Sequence, residues 1–110
     1  MTGVGDTTRS DGEGTQAPAG VSLRSLVIQA GGVLAAPADG ELLLIREATD
    51  ECYALRGSGV EIWAAARETI SVADICDRLL RVYAIERPNC ERAVLRAVGE
   101  LVDNGLLVAS

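Results

Sequence analysis

The apolar positions of this chain change their period partway along it. From residue 33 to residue 55 they come in short runs divided by turn residues, and from residue 58 to residue 103 they recur at helical spacing. Val33-Leu34-Ala35-Ala36 predicts a short first strand, closed by Pro37. Asp39-Gly40 follows, a strong signal for a tight hairpin between two apolar runs. Leu42-Leu43-Leu44-Ile45 predicts a central strand over 41–46, buried on both faces. A polar break at 47–51 leads into a third run, Cys52-Tyr53-Ala54-Leu55. Here Tyr53 and Leu55 share one face, while Cys52, Ala54 and Arg56 share the other. A simple meander of the three leaves the third strand at an edge.

Three helix signals come next. Ser58-Gly59-Val60-Glu61 matches a capping box, with Ile62, Trp63 and Ala66 directed to a core. Ser71-Val72-Ala73-Asp74 opens a second helix whose apolar residues Val72, Ile75, Cys76, Leu79, Leu80 and Tyr83 keep the helical period throughout. The third helix begins near Pro88 or Asn89 and runs to about Asp103, where Asn104-Gly105 is a stop and Leu106 the following hydrophobic contact. Its core stripe is Val94, Ala97, Val98 and Leu101, widened to one side by Leu95 and Val102. Residues 106–109 can add a terminal strand. Ahead of the meander, 21–30 reads as an extended lead-in. There Leu23, Leu26 and Val27 would also suit a short helix, and Leu26-Val27-Ile28 a strand. The expected fold class is α+β: a three-stranded antiparallel sheet followed by three helices, in a winged helix-turn-helix-like order over residues 21–110. Residues 1–20, rich in Gly, Thr, Ser and Asp, cannot bury enough surface to offset ordering entropy, and read as a disordered extension.

Composition narrows the function. Three aromatic residues in 110 make the core aliphatic. The net charge is -6 and every base is Arg, which lacks the electrostatic footprint of a nucleic-acid or anionic-membrane binder. No apolar run approaches the roughly 20 residues of a membrane span. The N-terminus carries no signal-peptide pattern, so the expected compartment is the cytoplasm. With no His and no C-x-x-C pair among Cys52, Cys76 and Cys90, neither a metal site nor any other cofactor is expected. Gly57-Ser58-Gly59 is neither a nucleophile elbow nor a phosphate loop. The acids Asp50 and Glu51 suit a turn. Cys52 has no base beside it in the sequence, and no catalytic constellation is present. Binding remains, and an open strand edge offers it by strand addition. Two rivals stay open. One is a winged-helix DNA-binding regulator, though the third helix sets Arg87, Arg92 and Arg96 against Glu91, Glu100 and Asp103. The other is a small enzyme subunit that is redox-active through Cys52.

An ordered set of short motifs adds a sharper expectation. Asp39-Gly40-Glu41-Leu42-Leu43-Leu44-Ile45 is followed by Thr49-Asp50-Glu51-Cys52-Tyr53-Ala54-Leu55, then by Gly59-Val60-Glu61-Ile62-Trp63. Ser71-Val72-Ala73-Asp74-Ile75 and Arg81-Val82-Tyr83 come next, and Val94, Val98, Leu101 and Gly105-Leu106-Leu107 close the set. In this order residues 32–109 resemble the PqqD-like family, the precursor-peptide recognition elements. That family commonly has Gly where this chain has Asp50, and often Asn where it has Arg56. The resemblance implies a non-catalytic protein in the making of a peptide natural product, with a lasso-peptide pathway suiting its stand-alone format. Such a protein binds the leader region of a ribosomally made precursor and presents it to a modifying enzyme such as a radical-SAM maturase, a cyclase or a leader peptidase. The leader would pair antiparallel to the third strand at Glu51, Cys52, Tyr53, Ala54, Leu55 and Arg56. It would pack on Leu95, Val98, Gly99 and Val102 of the third helix, with Arg92 and Arg96 at the rim. Trp63 is expected in the core beside Ile62.

Overall fold

A computed structural model describes residues 21–110, so the expected N-terminal extension lies outside the described residues. The chain order is β1 (Leu26–Gln29), β2 (Val33–Ala38), β3 (Glu41–Arg46), β4 (Glu51–Leu55), α1 (Ser58–Ala65), β5 (Ile70–Ser71), α2 (Val72–Val82), α3 (Arg87–Asp103) and β6 (Leu107–Ala109). The fold is mixed α+β, with two antiparallel three-stranded sheets ordered β2-β3-β4 and β5-β1-β6.

The first sheet is the expected meander. Asp39 and Gly40 both have positive φ, 49° and 83°, as a type I′ hairpin turn demands. That turn sets the register from Ala38 opposite Glu41 to Val33 opposite Arg46. Pro37 lies inside β2 rather than after it, which an edge strand tolerates. Burial of 42–45 on both faces is not what forms. Only Leu44 is buried, and Leu42, Leu43 and Ile45 are half-buried. The core covers one face of the sheet, meeting Leu42, Leu44, Tyr53 and Leu55. The other face, with Leu34, Ala36, Leu43, Ile45, Cys52 and Ala54, has no layer on it among the described residues.

The second sheet corrects the expectation of a single one. The lead-in resolves as a strand in which buried Val27 alternates with exposed Leu26 and Ile28. It pairs with two-residue β5 on one side and with β6 on the other. Leu26 and Ser110 exchange backbone hydrogen bonds of 3.1 and 2.8 Å, which ties the two ends of the described chain together.

The helix ends show which local signals were used. Ser71 accepts from the Asp74 amide at 3.0 Å, the expected cap of α2. The capping box at Ser58 does not form: Gly57 is the cap residue, with φ 52° and ψ -129°, and no side chain bonds there. The amides of Gly59 and Val60 instead reach Arg56 O and Gly57 O at 3.0 and 3.1 Å, and Glu61 accepts the Tyr83 hydroxyl at 2.6 Å. Tyr83 falls just past α2 and is exposed, so the expected stripe ends at Leu80. Helix α3 starts at Arg87 and stops at a Schellman motif. Gly105 N reaches Val102 O at 3.0 Å and Leu106 N reaches Leu101 O at 2.8 Å, with φ 74° at Gly105.

The core gathers Leu44, Ile62, Trp63, Val72, Ile75, Val94, Val98, Leu101, Leu106 and Leu107. Cys76 and Cys90 are buried in it, while Cys52 is exposed on β4. Desolvation pushes the Cys76 thiol up to about 12, with Cys90 adding to the effect. It stays protonated at every ordinary pH, and Cys52 alone is open to reagents. Iodoacetamide at mildly alkaline pH is therefore expected to label Cys52 in the native protein, with Cys76 and Cys90 reacting only in denaturant; peptide mapping by mass spectrometry checks this.

Gly105 gives a second test. A Cβ there would sit 2.6 Å from Arg46 Nη2 in a backbone conformation that L residues avoid. Gly105→Ala is expected to cost about 1–2 kcal/mol in urea unfolding. Gly31→Ala, which meets nothing within 4 Å, should cost far less.

Candidate functional site

A three-stranded sheet has two edges, and the sequence treats them differently. Glu47 N donates to Gly32 O at 2.9 Å, so odd-numbered residues along β3 turn their backbone groups to β2. Leu42, Leu44 and Arg46 then turn theirs to β4, bonding Leu55, Tyr53 and Glu51. The N–H and C=O groups of Cys52 and Ala54 are left pointing away from the sheet, where β4 has no described neighbour. On the opposite edge the outward residues are Val33, Ala35 and Pro37. Pro37 has no N–H to offer, which blunts that edge as a template.

The open edge borders a groove. Tyr53, Ala54, Leu55 and Arg56 form one wall, and Ala97, Glu100 and Leu101 of α3 with Asn104 just past its end form the other, with Leu106 between. Its volume is about 330 Å³. The helix residues fall at i, i+3, i+4 and i+7, a single face. A second depression of about 360 Å³, lined by Asn89, Arg92, Ala93, Arg96, Ala97 and Glu100, shares Ala97 and Glu100 with the first. Together they make one trough along α3.

Arg46 fixes the spacing of the two walls. Its Nε lies 3.3 Å from Glu51 Oε1, an ion pair without hydrogen-bond alignment, and its Nη2 donates to the carbonyl of Asn104. Glu51 also accepts from Thr49 Oγ1 at 3.0 Å and from the Tyr53 hydroxyl at 3.3 Å. The start of β4 is thereby held beside the end of α3. Past the other end of β4, Gly57 and Ser58 share an apolar cavity of about 210 Å³ with Cys90, Ala93 and Val94, so β4 and α3 run in opposite senses. At that cavity Tyr83 donates to Glu61, and this bond holds its phenol above the ordinary value. Arg56 pairs with Glu41 at the surface, a contact of small energetic worth.

The residues singled out in the sequence do not all meet. Tyr53, Ala54, Leu55 and Arg56 line the groove, and Glu51 and Cys52 are exposed further along the same strand. Arg92 and Arg96 line the continuation of the trough. Val98 and Gly99 are buried in the fold, and Leu95 and Val102 pack half-buried against the core; none of these four lines the groove. The helix turns Ala97, Glu100, Leu101 and Asn104 to β4 instead. Leu95 and Val102 are the larger apolar side chains of the helix flank, and the core takes them. The groove is lined by apolar Tyr53, Leu55, Leu101 and Leu106 together with small Ala54 and Ala97 and polar Arg56, Glu100 and Asn104. Ala97, expected in the core stripe, is half-buried and lines the groove, and the small side chain between Arg96 and Glu100 was the available signal.

A search of the curated proteins finds no match to the chain. Among solved structures, TbiB1 in complex with the TbiA(beta) leader peptide is similar, with a TM-score of 0.67 at 26% identity over 73% of this chain and 93% of that one. Lasso peptide synthetase B1 complexed with the leader peptide also has a TM-score of 0.67, at 23% identity, over 74% of this chain and 96% of that one. At that lower identity the likeness speaks for the fold. The family described as Coenzyme PQQ synthesis protein D (PqqD) matches residues 41–107, which include all of β4 and α3. The chain belongs to the PqqD family.

Proposed function

We propose that this protein binds the leader region of a ribosomally synthesised precursor peptide by adding it as a strand to β4, and presents it to a modifying enzyme or leader peptidase. The observation that carries this reading is the pair of outward-facing residues, Cys52 and Ala54, on an edge that opens into a groove walled by α3. Two solved structures with the same fold hold leader peptides, by their own descriptions. A strand laid antiparallel to β4 takes main-chain hydrogen bonds from Cys52 and Ala54. Its alternate side chains fall into the groove over Ala97, Leu101 and Leu106. The main-chain bonds supply affinity and the groove supplies selectivity. The protein performs no bond chemistry itself; its partner is a maturase, cyclase or peptidase in the cytosol, where the precursor is made.

Titration of fluorescent leader peptides, encoded by genes neighbouring this one, tests the reading by fluorescence polarisation. A lasso-peptide precursor is the first to try. Binding is expected for the native chain. Ala54→Pro removes an outward donor and is expected to weaken it by about tenfold. Ala35→Pro, at an outward position of β2, should leave affinity unchanged. Absence of any leader binding, or full affinity in a folded Ala54→Pro variant, contradicts the reading.

The groove wall has its own test. Ala97→Asp is expected to weaken leader binding with little loss of stability. Val102→Ala should cost about 1–2 kcal/mol of stability and leave the affinity of the folded protein in place. Binding and urea unfolding on the same samples separate the two.

A further inference from the structure

The trough along α3 changes charge along its length. At the β4 end stand Glu100 and Asn104, with Arg56 across from them already paired with Glu41. At the far end stand Arg92 and Arg96, four residues apart on one helix face, where like charges repel. In a chain of net charge -6, neither has an acidic partner among the described residues. Arg92 donates to the neutral amide oxygen of Asn89, and Arg96 makes no described hydrogen bond or ion pair. Arg46, Arg56 and Arg87, by contrast, are all paired with carboxylates. Arg24, Arg67, Arg78 and Arg81 also lack an acidic partner among the described residues, but they do not line this trough.

We propose that the peptide taken by this trough carries an acidic residue a few positions N-terminal to its β-paired segment, and that its carboxylate lies between Arg92 and Arg96. The inference rests on strand addition at β4. The direction follows from the opposed senses of β4 and α3: a strand antiparallel to β4 has its N-terminal side over the first half of α3. Guanidinium forks suit the task, since they bind a carboxylate through paired N–H groups. The charge step also sets polarity. A peptide entering in the reverse sense would place the same carboxylate near Glu100, so the pair selects direction and register as well as adding affinity.

The test uses the labelled leader peptides from the neighbouring genes, each also made with its Asp and Glu residues changed singly to Asn or Gln. It compares the native protein with R92E/R96E and with R78E/R81E, which makes the same change of net charge on α2, away from the trough. Circular dichroism confirms that the variants are folded. In about 0.1 M NaCl, R92E/R96E is expected to bind about tenfold more weakly or worse. R78E/R81E should stay within about twofold, as the charges of a distant exposed pair are screened. One amide-for-acid change in the leader, upstream of the paired segment, should weaken binding to the native protein while making no further difference to R92E/R96E. Equal losses in both double variants would overturn the proposal, as would a leader in which no single acid matters. Native binding indifferent to R92E/R96E overturns the acidic-residue inference alone; a native protein that binds no leader overturns strand addition, and this inference with it.

Discussion

The backbone of β4 is satisfied on one side only. Peptide N–H and C=O groups must pair or stay in water, and in this sheet the ladder parity assigns those of Tyr53 and Leu55 to β3 and those of Cys52 and Ala54 to the outside. That parity descends from the type I′ turn at Asp39-Gly40, which sets the register of β2 on β3 and hence which residues of β3 remain for β4. The same register puts Pro37 at an outward position of the other edge. One edge is blunted by Pro37 and one is left open, and the proposed function depends on the difference.

An open edge alone would pair with any extended chain, its own copy included. Selectivity needs a second wall at a fixed distance, and α3 supplies it. The helix is placed from both sides: Val94, Val98 and Leu101 are buried in the core, and its C-terminal end is held by the Schellman motif at Gly105. Arg46 joins that end to the sheet by reaching both Glu51 and the Asn104 carbonyl. Gly105 serves twice there. It adopts the left-handed turn, and the absence of a side chain leaves room for the guanidinium. The residues that define the groove's width are therefore structural ones outside its apolar lining.

Signals carried by neighbouring residues were legible in the sequence. The Asp39-Gly40 turn, the Ser71 cap, the Asn104-Gly105 stop and the helical period of 72–79 each depend on contacts a few residues apart. The second sheet was not legible as a sheet. Its members, Leu26–Gln29, Ile70–Ser71 and Leu107–Ala109, are separated by dozens of residues, and a two-residue strand has no period to read. Ser58 showed the limit of a motif: the capping box was present, but the positive φ of Gly57 let backbone bonds close the first turn. The run 42–45 showed that four apolar residues do not say which face is covered. The position of β4 at an edge was readable because an edge follows from strand order. Which side of α3 stands beside that edge was not readable, because the stripe of α3 is wide and only packing decides whether its Leu95 and Val102 flank or its Ala97 flank faces β4.

Amide hydrogen exchange by NMR, on the free protein and on a complex saturated with leader peptide, tests strand addition most directly. The amides of Cys52 and Ala54 are predicted to exchange freely without peptide and to become protected in the complex, while those of Val33 and Ala35 on the opposite edge stay as they were. Unchanged exchange at Cys52 and Ala54 in a saturated complex would contradict the account.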